Sequence, residues 1–264
     1  MKIIAGPCQH ESYEHSHMIA DHCKSICDTF GIEYVFKASY DKANRTSLNS
    51  KRGVGFDQTM MDFLKLKENI PRLKILTDFH SVQDINKLHN HSIRWNMNEP
   101  AVDIIQIPAF LCRQTDLILA AVEKVKAGIV KSINIKKGQF LAPWDVEGIL
   151  SKINLPNNQV YITERGTSFG YNTLVVDFTG ICYLLDTYNV GIVFDATHSV
   201  QRPGGNGTTS GGNRQYVHRL AKAARAVGVN NFFFEIHNDP DNAPSDGQNM
   251  VHLKDFERIV DSLL

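Results

Sequence analysis

Side chains that bind metals or move protons recur in this sequence just after short apolar runs. Cys8 follows Ile3–Ala5, Asp78 and His80 follow Lys74–Thr77, Asp195 and His198 follow Ile192–Phe194, and Glu235 and His237 close the run that begins at Phe232. Cys8, His198, Glu235 and Asp246 together offer sulfur, nitrogen and oxygen donors. That mixture suits a divalent transition metal such as Fe²⁺, Zn²⁺ or Mn²⁺ better than Mg²⁺. Each residue alone has a plainer reading. A cysteine beside a strand is usually a small buried hydrophobe, His198 alone reads as a hydrogen-bonded core histidine, and Glu235 and Asp246 as salt-bridge or capping residues.

Cations obey the same placement: Lys37 and Lys42, Arg113, Lys136 and Lys137, and Arg165 each come after an apolar run. The loop Lys42–Ser47 packs two cations, an amide and two hydroxyls into six residues. Such a loop can hold a phosphate through guanidinium, hydroxyl and backbone N–H groups. Lys136 and Arg165 suit a second anion bearing both carboxylate and phosphate. Other candidates read as structural. Cys23 and Cys27 share a helix face with Ile19 and Ile26, which predicts core packing. His10, His15, His17 and His22 crowd the first helical stretch, His89 and His91 lie further on, and most of these are expected at the surface.

The elements that must position these groups follow from periodicity. Eight β-rich runs lie near Ile3–Ala5, Tyr34–Ala38, Lys74–Thr77, Ile104–Ile107, Ile133–Lys136, Val160–Thr163, Ile192–Phe194 and Phe232–Glu235. They are continuously apolar, as strands covered on both faces should be. Eight helical patterns alternate with them. Ile118, Ala121, Val122 and Val125 keep i, i+3, i+4, i+7 spacing, as do Val217, Leu220, Ala221 and Ala224, and Phe256, Ile259, Val260 and Leu263. Gly31, Gly128 and Gly228 each follow a helical stretch, where a C-terminal cap is expected. Eight βα units predict an α/β fold of the (β/α)8 barrel (TIM barrel) type, one domain over residues 1–264. An open doubly wound sheet would more often have five to seven strands. In a barrel, loops at the C-terminal strand ends build the site, and units 1, 7 and 8, which carry the four metal donors, become neighbours on closure. The poor periodicity of Asn86–Asn98 predicts a loop insertion in the third unit. Arg202–Gly212 has the glycine content of a mobile lid.

Bulk properties narrow the partners. Twenty-eight basic residues balance 28 acidic ones, so no global field points to nucleic acid or a membrane surface. No apolar run approaches the roughly 20 residues that span a bilayer, and Ile3–Ala5 is too short for a signal h-region. Five cysteines without framework spacing favour a reducing compartment. Cytoplasm is the expectation.

Longer motifs add a resemblance. IAGPC (4–8), FKASYDKANRTS (36–47), DIIQIPAFLCRQTDL (103–117), NIKKGQFLAPWD (134–145), ITERGTSFGYNTLVVDF (162–178), FDATHSVQRPGG (194–205) and SDGQ (245–248) resemble the 3-deoxy-D-manno-octulosonate 8-phosphate synthases, also called 2-dehydro-3-deoxyphosphooctonate aldolases. The resemblance implies a (β/α)8 barrel, usually a homotetramer, that condenses phosphoenolpyruvate with D-arabinose 5-phosphate and water on the route to lipopolysaccharide. It also implies a class. Cysteine at the position of Cys8 marks the metal-dependent members, asparagine the others, and His198, Glu235 and Asp246 match the remaining ligands. By motif, Lys136, Arg165, Ala109, Gln139 and Lys42 are expected around phosphoenolpyruvate. Asn44, Arg45 and Thr46 are expected to receive the aldose phosphate, with Arg113 reaching that phosphate in an adjacent subunit. Lys42, Asp78, His80 and His198 are the expected catalytic residues.

The sequence departs from the family pattern in three places. Thr46 replaces a usual serine, Ser81 stands where Thr-Asp-x-His-Glu ends in glutamate, and the segment before Ile104 looks longer. Related heptulosonate-phosphate synthases use erythrose 4-phosphate and usually have Lys-Pro-Arg where this chain has Lys42-Ala43-Asn44-Arg45, so Asn44 discriminates. Sialic-acid-type synthases normally carry a further C-terminal domain. A non-catalytic sugar-phosphate sensor should have lost ligands or cations that are intact here.

Overall fold

The computed structural model describes the chain except residues 45–50, 95–99 and 206–209, and of residues 89–94 it describes the backbone alone. Eight strands form the central sheet: β1 (Lys2–Gly6), β2 (Glu33–Lys37), β3 (Lys74–Asp78), β4 (Ile104–Ile107), β5 (Ser132–Lys136), β6 (Val160–Glu164), β7 (Gly191–Asp195) and β8 (Asn231–His237). Each pairs in parallel with its successor, and β8 pairs back to β1 with Ile3 opposite Phe232 and Gly6 opposite Glu235. The sheet is therefore a closed barrel, and each predicted strand overlaps an observed one.

Helices α1 (Tyr13–Thr29), α2 (Phe56–Asn69), α3 (Val82–Arg94), α4 (Thr115–Lys126), α5 (Glu147–Leu150), α6 (Phe178–Thr187), α7 (Val217–Ala226) and α8 (Phe256–Asp261) fill the crossovers. Their apolar faces meet the outward side chains of the strands in one large core. Cys23 and Cys27 belong to that core, as expected. Gly31, Gly128 and Gly228 all have positive φ after α1, α4 and α7, the cap geometry that glycine adopts without strain.

The interior of the barrel is divided along its axis. Ile4, Val35, Leu76, Ile104, Val193 and Phe233 form a separate inner apolar cluster. Side chains two residues apart on a strand share a face. Moving two residues on from that cluster gives Lys37, Asp78, Gln106, Asp195 and Glu235, all buried. An apolar floor thus carries a polar layer at the C-terminal end of the strands.

One expectation fails here. Asn86–Arg94 is not a loop insertion but the body of α3. Ile85 and Leu88 are buried one turn apart, and Ser81 caps the helix, its Oγ accepting from Asp84 N–H at 3.1 Å and donating to the Asp84 carboxylate at 2.9 Å. The polar residues that blurred the periodicity lie within a helix whose apolar stripe is narrow. Residues 95–98 fall outside the described residues. Among those described, no helix is long and apolar enough to cross a membrane.

Candidate active site

The polar layer opens into a cavity of about 790 Å³ at the C-terminal mouth. Its cations are Lys37, Lys42, Lys136 and Arg165, and its carboxylates include Asp78, Glu235 and Asp246. Asn44, His80, Ala109, Gln139 and His198 also line it. The stems of the glycine-rich segment, Pro203, Gly204 and Ser210, face its mouth. Arg45 and Thr46 lie outside the described residues. Arg113 is exposed and is not among the residues lining the cavity of its own chain.

Local structure brings the metal donors together. Gly6 permits β1 to approach β2 closely, since a Cβ there would lie 2.2 Å from the Lys37 carbonyl oxygen. The chain then turns Cys8 into the barrel mouth, where its Sγ lies 3.3 Å from Asp246 Oδ2. Ligand atoms of Cys8, Glu235 and Asp246 all lie within 4.8 Å of one another. His198 stands beside them, with Nε2 3.6 Å from Glu235 Oε2 and 3.9 Å from Asp246 Oδ2. Bonds of about 2.0–2.3 Å to a common ion would bring such donors only slightly closer.

Asp195 decides which nitrogen of His198 is available. Its carboxylate accepts from His198 Nδ1 at 2.7 Å and from the His198 backbone N–H at 2.9 Å. In the neutral imidazole this leaves Nε2 as the acceptor, facing Glu235 and Asp246, the arrangement in which a histidine binds a metal. Glu235 is oriented as well: Lys37 donates to Oε1 at 3.2 Å, while the buried Oε2 has no hydrogen-bond partner. A buried oxygen without a partner costs free energy. A divalent cation between Cys8, His198, Glu235 and Asp246 would supply that partner, so these residues fit the metal the sequence implies.

Electrostatics favour ionised carboxylates and a protonated thiol in this layer. Burial, aided by Glu235 and Asp246, pushes the Cys8 thiol up to about 12, so a metal bound there would displace its proton. Burial would raise the Asp246 carboxyl, but His198 and Lys42 bring it down to about 2. Asp78 and Asp195 are held far below the usual carboxylate range despite burial, Asp78 by Lys37, Lys42 and Lys136, and Asp195 by His198 and Lys136. Asp78 is thus a fixed anion rather than a proton donor. Burial keeps the His80 imidazole below the usual histidine range, and its Nδ1 has no hydrogen-bond partner.

The cations are not equivalent. Lys136 donates to Asp195 at 2.7 Å, and Lys37 lies between Glu235 and Asp78. Among the described residues, neither Lys42 nor Arg165 makes an ion pair. Lys42 donates to Ser39 Oγ at 3.0 Å. Arg165 is aimed by its neighbour: Glu164 Oε1 accepts the backbone N–H groups of Arg165 and Gly166 at 2.9 and 2.6 Å. Among the described residues, two cations in one cavity thus have no carboxylate partner, a charge arrangement that suits anions.

The strand-end reading singled out Lys37 and Asp195 without giving either a role, and passed over Gln201 altogether. Alternation along β2 and β7 would have placed Lys37 and Asp195 inside. Gln201 lies within the FDATHSVQRPGG motif, but neither its residue type nor its periodicity points to a role. A second group, Glu11, His15 and His237, also brings ligand atoms within 4.8 Å. There, however, the Asp239 N–H donates to His237 Nδ1 at 2.9 Å, so Nε2 carries the proton and donates to Glu11. That group is a hydrogen-bonded cluster. His10 corrects the expectation of surface histidines. It lies before α1, fully buried, with Nε2 2.9 Å from Asp62 Oδ2 and Nδ1 2.8 Å from Ser16 Oγ.

Comparison with known proteins agrees with this architecture. Residues 1–263 match the model of the DAHP synthetase I family. The chain belongs to that family. Within the DAHP synthetase I family it is similar to the 2-dehydro-3-deoxyphosphooctonate aldolase of Agrobacterium fabrum (strain C58), 50% identical over 263 residues, 99% of this chain and 87% of that protein. The aldolases of the same name from Rhodopseudomonas palustris (strain BisB5) and Rhizobium meliloti (strain 1021) are each 49% identical over 265 residues, covering all of this chain and 87% and 89% of theirs.

Proposed function

We propose that this chain condenses phosphoenolpyruvate with D-arabinose 5-phosphate and water, giving 3-deoxy-D-manno-octulosonate 8-phosphate and inorganic phosphate, and that it does so as a metal-dependent enzyme. One observation carries the reading. A chain half-identical over its whole length to enzymes named for this product has one cavity in which Lys42 and Arg165, without an ion pair among the described residues, stand beside the Cys8–Glu235–Asp246 donors.

Arg165 and Lys136 hold phosphoenolpyruvate, with Lys42, Gln139 and Ala109 around it. Gln139 Oε1 is buried without a partner, which suits a polar ligand. Asn44, with Arg45 and Thr46, receives the aldose phosphate. C3 of phosphoenolpyruvate attacks the aldehyde carbon, water adds at C2, and the hemiketal phosphate releases inorganic phosphate by C–O cleavage. The cations hold two mutually repelling anions in reacting order, a contribution of positioning and electrostatics. His80, neutral and with Nδ1 unpartnered, is suited to accept a proton. Cys8, His198, Glu235 and Asp246 would hold a divalent metal, which when bound would supply Lewis acidity toward the aldehyde or water.

A homotetramer in the cytoplasm completes the proposal. Phe110, Phe140, Trp144, Phe169 and Tyr171, from the loops after β4, β5 and β6, are each more than half exposed. Exposed aromatics on neighbouring loops suit contact with a second copy, and Arg113 lies on the same β4 loop.

Phosphate release from phosphoenolpyruvate tests the reading, with arabinose 5-phosphate and erythrose 4-phosphate offered in parallel. Release is expected with arabinose 5-phosphate, lost on chelation or in Cys8→Ala, and restored to the chelated protein by a divalent transition metal. Full turnover in the chelated protein would overturn the metal requirement. Preference for erythrose 4-phosphate would overturn the substrate, and no release with either aldose would favour a sensor.

A further inference from the structure

Gln201 occupies a position that neither the anion site nor the metal donors explain by themselves. It follows the short turn His198–Val200, and its backbone pairs with Gly212 across a two-residue antiparallel ladder at the base of the glycine-rich segment. Its side chain makes two hydrogen bonds in opposite directions. Oε1 accepts from Arg165 Nη2 at 2.7 Å, and Nε2 donates to Asp246 Oδ1 at 2.9 Å. The amide orientation is dictated by its partners, since a guanidinium only donates and a carboxylate only accepts.

The two partners belong to different parts of the site. Asp246 Oδ2 faces Cys8, at 3.3 Å, and accepts from Ser245 Oγ at 3.2 Å, so its two oxygens are divided between the donor group and Gln201. Asp246 also sits at φ +52°, a left-handed conformation that aspartate adopts more readily than most non-glycine residues. Arg165 is buried and, among the described residues, has no carboxylate partner within ion-pair distance. A primary amide is suited to this place because it accepts from one partner and donates to the other. A carboxylate would repel Asp246, and an ammonium would repel Arg165.

We infer that Gln201 is a positioning residue that links the anion-binding cation to the metal centre: Arg165 fixes the amide, and the amide fixes Asp246 Oδ1 so that Oδ2 faces the metal. The inference rests on the metal and anion roles proposed above, and it predicts the sign of an effect. Through space, the positive charge of Arg165 repels a divalent cation, so removing it should tighten metal binding. Through Gln201, removing Arg165 frees the amide and should weaken metal binding. The two routes give opposite outcomes.

Cobalt(II) alone, titrated into the metal-free full chain against a competing chelator, reads the affinity. The thiolate-to-cobalt absorption band reports that Cys8 is engaged. Gln201→Met, close in shape but unable to bridge, is expected to lose about 10- to 100-fold in cobalt affinity, the usual cost of removing a group that orients a metal ligand. Arg165→Met is expected to lose at least about threefold with Gln201 present, and to lose nothing further in the Gln201→Met background, where only the through-space tightening remains. Gln201→Asn, one methylene too short to reach both partners, should behave like Gln201→Met and guards against a folding artefact of either variant. Tighter or unchanged cobalt binding in Arg165→Met, or equal effects of that change in both backgrounds, would overturn the link and leave the metal reading standing. Failure of the unsubstituted chain to bind cobalt would overturn the metal reading and the link together.

Discussion

A carboxylate that accepts from Nδ1 of an imidazole leaves Nε2 as the ligand atom, and Asp195 does this to His198 while also accepting from Lys136. Asp195→Asn keeps the shape but offers an amide with a different hydrogen-bond pattern. Isothermal titration should show metal affinity about 10- to 100-fold weaker, with phosphoenolpyruvate binding weakened as well because Lys136 loses its anchor. An unchanged metal affinity would show that His198 is not held through Asp195. His10 makes a separate prediction about stability. Burial lowers its folded-state pKa below the ordinary 6.5, against the opposing effect of Asp62. As pH falls through 6.5, the unfolded chain takes up a proton that the folded chain refuses, so stability present above that pH is progressively lost. Urea titrations at pH 7.5 and pH 5.5 should show this loss, and His10→Gln should reduce it. The depressed carboxyls of Asp78 and Asp195 act in a lower window, beginning near the ordinary carboxylate pKa of about 4.

At the scale of elements, two loops are held together by absence of bulk. A Cβ on Gly212 would lie 1.4 Å from Asn249 Oδ1, and Asn249 is fully buried three residues beyond Asp246. Gly212→Ala should displace the Asp246 segment, costing about 1–3 kcal/mol in stability and weakening metal binding. The double change Gly212→Ala with Asn249→Ala, read by thermal melting, should recover part of that loss. If Gly212→Ala melts like the unsubstituted chain, the two loops are not packed as described. Ser81, where the resemblance leads one to expect glutamate, caps α3 instead. Ser81→Ala should cost about 1 kcal/mol, read by thermal melting.

For the whole molecule, the closed barrel gathers eight strand ends into one mouth, while exposed aromatics on the loops after β4 to β6 leave an apolar region beside it. Sedimentation velocity should find an assembly larger than one chain. Phe169→Glu, changing a residue 73% exposed, should shift that assembly toward smaller species. If Arg113 serves a neighbouring copy, the same change and Arg113→Met should both raise KM for arabinose 5-phosphate more than KM for phosphoenolpyruvate. A monomeric, fully active protein would overturn this arrangement.

Continuous apolar runs, alternating with helical periodicity, were enough in the sequence to specify eight βα units, because burial on both faces leaves that pattern on each strand. The barrel rule then located Cys8, Lys136, Arg165, His198 and Glu235 correctly at strand ends, and the motifs identified the family. Periodicity misled where polar residues cover a helix with a narrow apolar stripe, as in α3. Local composition also misplaced His10, whose partners Asp62 and Ser16 come from two different helices. Only the tertiary structure decided which charges are already paired. Lys37 and Lys136 are committed to carboxylates on other strands, Lys42 and Arg165 have no such partner among the described residues, and Gln201 joins Arg165 to Asp246 across 36 and 45 residues of sequence. Hydrogen bonds and ion pairs depend on distances of a few ångströms between strands far apart in the chain, and a one-dimensional pattern encodes which face a residue occupies but not what it meets there.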